Sequence, residues 1–185
     1  QGFECIGACF NAFDMSRLAE DLFGCQVTLL QNGMLGENRS LIIEHLVRGQ
    51  PLLIPYPLCC NYEPCNKRGH KAHWAVVTGA LLGVDWSDVE TCFEEVAETP
   101  GLYSAESAEI RPMTSHVHAL YLLAKQGKSV RHRLWDFDRV AESNGQLLEF
   151  DPRRQADGTT YVVPAEGGVR AGLCGKLLLL APATA

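Results

Sequence analysis

Apolar residues recur at helical spacing in the first third of the chain. One amphipathic helix is predicted from Asp14, an N-cap residue type, to Phe23, and Gly24 is expected to end it. A second helix is predicted from about Asn38 to Arg48. The apolar faces of these helices are expected to consist of Met15, Leu18, Leu22 and Phe23 in the first and Leu41, Ile42, His45 and Leu46 in the second.

Short apolar runs bounded by glycine, proline and polar residues predict the strands. The clearest run is 73–83, and others occupy 26–30, 51–55, 119–124, 132–136, 161–164 and 177–180, with a short helix near 137–143. Two helices followed by several strands in series predict an α+β fold with a mainly antiparallel sheet. The stretch 85–116 is acidic and rich in turn residues, so we interpret it as a surface insertion in a single domain spanning 1–185.

Charge and composition exclude some classes of partner. The formal net charge of −6 disfavours a phosphate-binding surface, so no nucleic-acid partner is expected. No stretch approaches the roughly 20 apolar residues that span a bilayer, and no membrane association is expected. The eight cysteines are scattered, which favours reduced thiols in a cytosolic protein over a secreted disulfide framework. Because the chain opens on Gln1, we expect it to be a fragment or a processed product.

His73 is the main candidate for catalysis, because it enters an apolar strand directly after the polar loop 61–71. A sheet would hold the imidazole rigidly, while the end of a strand would leave it open to substrate, as a general base requires. Trp74 could shield the ring and favour a thiolate–imidazolium pair. The competing interpretation is a partly buried structural histidine.

Two groups of cysteines offer further chemistry. The segment Gln1 to Phe13 echoes the papain motif, in which an oxyanion-hole Gln-Gly precedes the nucleophile, and it makes Cys9 a candidate thiolate. Its spacing differs from that motif, and the predicted helix begins several residues beyond Cys9. Separately, a tetrahedral zinc site could be formed by Cys59, Cys60, Cys65, His70 and His73. That spacing is not a standard finger pattern.

Several segments, taken together and in order, resemble the actin maturation protease family, a branch of the papain-like, C39-type peptidase superfamily. They cover almost the whole chain, which makes the resemblance specific. The segments are 14–20, 51–56, 63–65 with 69–76, 121–129, 134–136, 142–144, 157–158, 161–164 and 171–175.

This resemblance implies a cytoplasmic cysteine aminopeptidase that removes the acetylated N-terminal residue of new actin, including profilin-bound actin, without a cofactor. The family's histidine maps onto His73, whereas its nucleophile lies in an upstream segment, so this chain alone is expected to be inactive. The family's orienting residue is expected on the strand after the histidine strand, which makes Gln126 the candidate and Asp136 its rival.

Alternative interpretations remain open at the level of the sequence. One is a papain-like actin-binding module without chemistry, and another is a zinc-stabilised interaction domain. A partner chain that stabilises the fragment is also possible, because loss of a packed upstream helix would expose apolar surface.

Overall fold

Helices and strands follow the predicted order in a computed structural model that describes residues 11–85, 93–104, 117–127, 129–155 and 167–183. The helices are α1 (Ala12–Phe23), α2 (Glu37–Val47), α3 (Phe137–Gly145), α4 (Pro152–Gln155) and α5 (Gly168–Leu173). The strands are β1 (Gln26–Leu30), β2 (Leu52–Pro57), β3 (Ala72–Gly83), β4 (Glu94–Glu95), β5 (Tyr103–Ser104), β6 (Ala119–Gln126), β7 (Arg133–Asp136) and β8 (Leu177–Ala181).

Six of these strands form one sheet in the order β1-β8-β2-β3-β6-β7. Every neighbouring pair in this sheet is antiparallel. The predicted α+β class with a mainly antiparallel sheet is therefore confirmed. The C-terminal strand β8 lies between β1 and β2, and β3 occupies a central position with partners on both sides.

The main core covers one face of the sheet. Its helical members come from α2 and α3, and its sheet members alternate along β2, β3, β6 and β7, as the period of two requires. Fully burying one such aliphatic side chain stabilises the fold by about 1.5–3 kcal/mol. Central members are Ile42, Ile43, Leu46, Leu52, Ile54, Tyr56, Ala75, Val77, Leu122, Trp135, Phe137 and Val140.

Helix α1 begins earlier than predicted and buries a different face. Its N-cap is Asn11, not Asp14, because the Asn11 side chain accepts a hydrogen bond from the Asp14 backbone N–H at 2.8 Å. Gly24 ends the helix at φ 60°, as predicted. The predicted apolar face is wrong at its C-terminal end, since Leu22 and Phe23 are 66% and 78% exposed. The buried residues of this helix are Ala12 and Ala19.

Helix α2 agrees closely with its prediction. Ile42, His45 and Leu46 are buried, and the His45 Nε2–H donates to the Pro51 carbonyl at 3.0 Å. The exception is Leu41, which is exposed. No helix in the described ranges is both long and apolar enough to cross a membrane.

Part of the predicted insertion 85–116 forms regular secondary structure. Within 93–104, β4 and β5 pair as a small two-stranded sheet, closed by the Val96 N–H donating to the Leu102 carbonyl at 2.8 Å. Two-residue strands carry no detectable periodicity, so no sequence pattern predicts them. The predicted strand at 161–164 and Cys9 lie outside the described residues.

Asn144, in the last turn of α3, joins the helix to the sheet. It is fully buried, and its Nδ2 donates to the carbonyls of Pro55 and Lys176, each at 3.0 Å. The ladder between β2 and β8 ends at Leu53 and Leu178, so these two carbonyls lie where the strands separate. The amide thereby satisfies two buried acceptors next to the beginning of β3.

Candidate active site

His73 is the second residue of β3, in the centre of the sheet, and its side chain is half-buried. Tyr56 of β2 lies directly opposite it in the register. On the other side, β6 pairs Gln126 with Ala75, two residues from His73. Since residues two apart on a strand share a face, the side chains of His73, Tyr56 and Gln126 lie on one face of the sheet.

The His73 ring is oriented by a backbone group that sequence analysis missed. Its Nδ1 lies 2.8 Å from the Lys71 carbonyl oxygen. A carbonyl only accepts hydrogen bonds, so Nδ1 must carry the proton and the neutral ring keeps its lone pair on Nε2. Lys71 adopts a left-handed conformation with φ 58°, which turns its carbonyl toward the ring. The arrangement presents Nε2 as a base.

Gln126 fits the predicted orienting position by its placement. It is 3% exposed and belongs to the same face as His73, one diagonal step across the strand pair. A buried amide at this position in the register can restrict the imidazole and the atoms that approach it. Its catalytic role stays a prediction.

Asp136, the alternative candidate for orienting His73, caps a helix in the structure. Its carboxylate accepts the Arg139 backbone N–H at 2.9 Å and is the N-cap of α3. In the register it pairs with Tyr121, whereas its neighbour Trp135 pairs with Leu122 on the core face. Asp136 therefore belongs to the opposite face of the sheet from His73.

The aromatic neighbour of His73 is Tyr56, not Trp74 as predicted. Successive side chains on a strand point to opposite faces, and Trp74 packs with a second small cluster around Leu147 and Leu173. Tyr56 is fully buried against Trp135, with ring centroids 5.0 Å apart. Burial raises the pKa of its phenol, which stays protonated and donates to the Tyr62 carbonyl at 3.1 Å.

The zinc alternative finds no support in the described part of the chain. There, no group of three or more histidine, cysteine, aspartate or glutamate side chains is arranged to hold a metal ion. His70 is engaged by Glu149, with its Nε2 at 3.1 Å from Oε1, while His73 faces the Lys71 carbonyl. The two histidines therefore do not converge on the cysteines of the loop.

The loop before His73 is fastened to the segment that follows α3. The Arg68 guanidinium contacts both carboxylate oxygens of Glu149, at 2.9 and 3.1 Å, and the Arg68 carbonyl accepts the backbone N–H groups of Leu148 and Glu149. Gly69, at φ 101°, lies so close that an added Cβ would stand 2.7 Å from the Glu149 carbonyl oxygen. Only glycine fits that position. The loop is thus held firmly beside the candidate base.

Comparisons with known proteins identify a matching family and several similar proteins. Residues 1–81 match the family described as "Actin maturation protease-like, C-terminal domain". The actin maturation protease of Bos taurus is 50% identical over 187 residues, covering 98% of this chain and 53% of the relative. The Homo sapiens protein is 49% identical with the same coverages. The Danio rerio protein is 49% identical over 181 residues, covering 97% of this chain and 59% of the relative.

The chain is a homologue of actin maturation protease. It spans about half the length of the curated relatives that it matches, 53% for the Bos taurus protein. The resemblance inferred from the sequence motifs is confirmed, including its correspondence to the C-terminal part of the family. No solved structure matches the chain, so the papain-like assignment stays a prediction.

In this actin maturation protease homologue, Glu149 should make the stability of the site depend on pH. The hydrogen bond from Arg68, and then that from His70, hold the pKa of the Glu149 carboxyl below its usual range. A carboxyl with a lowered folded-state pKa stabilises the fold above its unfolded pKa, about 4.3, and loses that contribution as the pH falls through the lower folded value. Urea unfolding of the native chain and Glu149→Gln should therefore differ most at neutral pH and converge in acid.

Glu63→Gln is the matched control, because Glu63 is an exposed carboxylate in the same loop region. Its free energy of unfolding should follow that of the native chain across the whole pH range. Parallel curves for Glu149→Gln and the native chain would show that the Arg68–Glu149 pair does not stabilise the fold.

Proposed function

We propose that this chain is the histidine-bearing part of a cysteine aminopeptidase that removes the acetylated N-terminal residue of immature actin. The observation that carries the proposal is the similarity to proteins named actin maturation protease, about half of all positions across 98% of the chain. The free Nε2 of His73, on a rigid central strand, adds a chemical reason. The nucleophilic cysteine is proposed to lie upstream of Gln1, with cytoplasmic actin, free or profilin-bound, as the substrate.

The proposed chemistry requires His73 to accept and return a proton twice, once in each half of the cycle. Nε2 takes the proton of the nucleophilic thiol, and the thiolate attacks the carbonyl carbon of the acetylated residue. The imidazolium then gives this proton to the departing backbone nitrogen of the next actin residue, and the C–N bond breaks. Nε2 then takes a proton from water, and the water oxygen attacks the thioester carbonyl carbon. The C–S bond breaks, the acetylated amino acid is released, and the imidazolium returns the proton to the cysteine sulfur.

Two groups of this chain support that cycle. The Lys71 carbonyl, 2.8 Å from Nδ1, stabilises the positive charge on the ring each time Nε2 is protonated. Gln126, buried on the same face, acts as a positioning residue for the imidazole. Lys71 lies in the loop directly before β3, and Gln126 lies on the neighbouring strand β6. The sheet therefore fixes their relative positions before substrate arrives.

The loop 61–71 supplies one wall of the substrate cleft in this proposal. An aminopeptidase that accepts a blocked N-terminus needs a cleft closed at one end, so that a longer peptide cannot pass through. The contacts of Arg68 and Gly69 with Glu149 keep this loop in place beside His73. A rigid wall favours the selection of chain ends over internal peptide bonds.

A non-catalytic actin-binding module is the second candidate for the chain taken by itself. The observation that favours it is that, within the described residues, the hydrogen bond of the His73 ring goes to Lys71 and none goes to a cysteine. A base without a thiolate partner does not form an acyl-enzyme.

The test uses a longer protein that contains this chain and its upstream segment. It is incubated with a peptide of the actin N-terminus bearing an acetylated methionine or cysteine, and mass spectrometry follows the released acetylated amino acid. Matched controls are the same peptide without the acetyl group and the same peptide extended by one residue. We expect rapid release of the acetylated amino acid from the acetylated peptide and not from the two control peptides. Tight binding of actin without release would favour the binding module.

A further inference from the structure

The hairpin that joins β6 to β7 concentrates positive charge in an acidic chain. The nine residues from Lys125 to Arg133 include four of the chain's 16 lysines and arginines and no aspartate or glutamate, whereas the formal net charge of the chain is −6. Lys125, Arg131 and Arg133, here called the basic hairpin, are all exposed. Among the described residues, none of the three takes part in an ion pair. Their charges are therefore available to a partner that carries carboxylates.

Hydrogen bonds within the turn fix the backbone that carries these side chains. The Ser129 N–H donates to the Gln126 carbonyl at 3.1 Å and closes the turn. The Ser129 hydroxyl donates to the Arg131 carbonyl and accepts the Arg131 N–H, each at 3.2 Å. Arg133 begins β7, where it pairs with Ala124 of β6. A surface whose backbone is already held loses less conformational entropy when a partner binds.

The basic hairpin lies at the same end of the sheet as His73. Gln126, the last residue of β6, shares a face with His73 and directly precedes the turn. Arg133 pairs with Ala124, which is two residues from Gln126, so Arg133 belongs to that same face. Only β6 separates β7 from β3, and two strand spacings amount to roughly 10 Å. A few residues of extended chain can therefore reach from His73 to the basic hairpin.

The surroundings of the basic hairpin favour a polypeptide partner over a nucleic acid. β7 is the last strand of the sheet, so in the described part of the chain one of its edges offers backbone N–H and C=O groups that an extended peptide can bind. On the face opposite His73, Leu123 and Leu134 pair in the register and are 38% and 50% exposed. A strand edge and apolar side chains suit a peptide, whereas a phosphate backbone is bound mainly by cations.

We propose that the basic hairpin binds an extended acidic segment of the protein substrate, shortly after the residue that is cleaved. This inference rests on the proposed function, in which the first residue of the substrate is removed at His73 and the remaining chain lies on the leaving-group side. Carboxylates of the acidic segment pair with the guanidinium groups of Arg131 and Arg133, whose planar donors match carboxylate oxygens in a bidentate geometry. Complementary charge of this kind steers association and selects one partner over another.

Binding is measured in a protein that contains this chain and its upstream segment and carries His73→Ala, so that the peptide stays intact. The probe is a peptide labelled with fluorescein at its C-terminus, with an acetylated methionine followed by four aspartates. The matched control peptide has four asparagines at those positions. Fluorescence anisotropy at low salt should show roughly tenfold tighter binding of the aspartate peptide, and added salt should reduce this difference by screening the charges. Equal affinities for the two peptides would overturn the proposal.

Charge-reversal variants locate the binding surface. The combination of Arg131→Glu with Arg133→Glu should weaken binding of the aspartate peptide roughly tenfold and leave binding of the asparagine peptide unchanged. The matched control combines Arg17→Glu with Arg170→Glu, which changes the net charge equally on exposed positions of α1 and α5. Helix α1 packs against β1, at the other edge of the sheet from β7. An equal loss of affinity in this control would overturn the proposal, because net charge alone would then set the affinity.

Turnover separates failure of this proposal from failure of the proposed function. With His73 restored, the combination of Arg131→Glu and Arg133→Glu should raise KM for the aspartate peptide roughly tenfold and leave kcat nearly unchanged, since binding is lost equally from the ground state and the transition state. If neither peptide releases an acetylated residue, the proposed function fails, and the anisotropy measurements still decide whether the basic hairpin binds acidic segments. Displacement of the aspartate peptide by a single-stranded oligonucleotide at a lower concentration than by unlabelled peptide would overturn the assignment to a protein segment.

Discussion

His73→Ala is expected to lower the turnover of acetylated actin peptides by roughly 10²–10⁴-fold in a protein that contains this chain and its upstream segment. The reason is that Nε2 is the proposed acceptor of the thiol proton, and a thiol at neutral pH is a far weaker nucleophile than its thiolate. The ring is half-buried, and within the described residues its hydrogen bond goes to the Lys71 carbonyl. The fold should therefore survive the substitution.

Turnover is measured under saturating substrate, and far-ultraviolet circular dichroism and thermal unfolding report on the fold. His118→Ala is the matched control, since His118 is exposed at the opposite end of the β3–β6 pair, beside Gly83. A purely structural His73 would change the melting temperature more than the turnover. Added imidazole should partly restore His73→Ala if the missing group is a base. Near-native turnover in His73→Ala would remove this residue from the proposed mechanism.

The second large effect is expected from the chain by itself, which should release no acetylated residue above the uncatalysed rate. A general base without a thiolate offers no covalent route, so nearly the whole barrier of amide hydrolysis remains. Supplying the upstream segment in trans should restore turnover, provided that the segment packs against this chain. The measurement is release of the acetylated residue by the chain with and without that segment.

Cys9 supplies the decisive control for this second prediction. Cys9→Ala should leave the reconstituted activity unchanged, because the proposed nucleophile lies upstream. Activity of the chain alone that disappears in Cys9→Ala would instead place the nucleophile in the segment Gln1 to Phe13. It would then restore the papain-like interpretation of that segment.

The prediction of His73 shows which structural features a local sequence pattern can and cannot predict. An apolar β-branched run following a polar loop predicted both a strand and a histidine at its start, and β3 has that form. The nearest aromatic in sequence, Trp74, was assigned to the wrong face, because a strand sends successive side chains to opposite sides. The aromatic that shares the face of His73 is Tyr56, and only the pairing of β2 with β3 reveals it.

The helices show the same boundary between local and non-local information. Gly24 was recognised as the end of α1 because its left-handed conformation is a local property of glycine. The buried face of α1 was not predicted correctly. In the described structure Leu22 and Phe23 are exposed, and the residues of this helix that pack are Ala12 and Ala19. Helices α4 and α5, of four and six residues, are too short for a period of 3.6 residues to be read.

The sequence by itself determined the fold class, most of the strands, the candidate base and the family, because each depends on short-range periodicity or on motifs contiguous in the chain. The tertiary structure alone decided that Lys71 orients the His73 ring, that Asp136 caps a helix, and that Arg68 pairs with Glu149. It also decided the insertion of β8 between β1 and β2. These features rest on strand register and on the left-handed turns of the loop 61–71, whose energies come from contacts between distant residues and leave no periodic trace in the sequence.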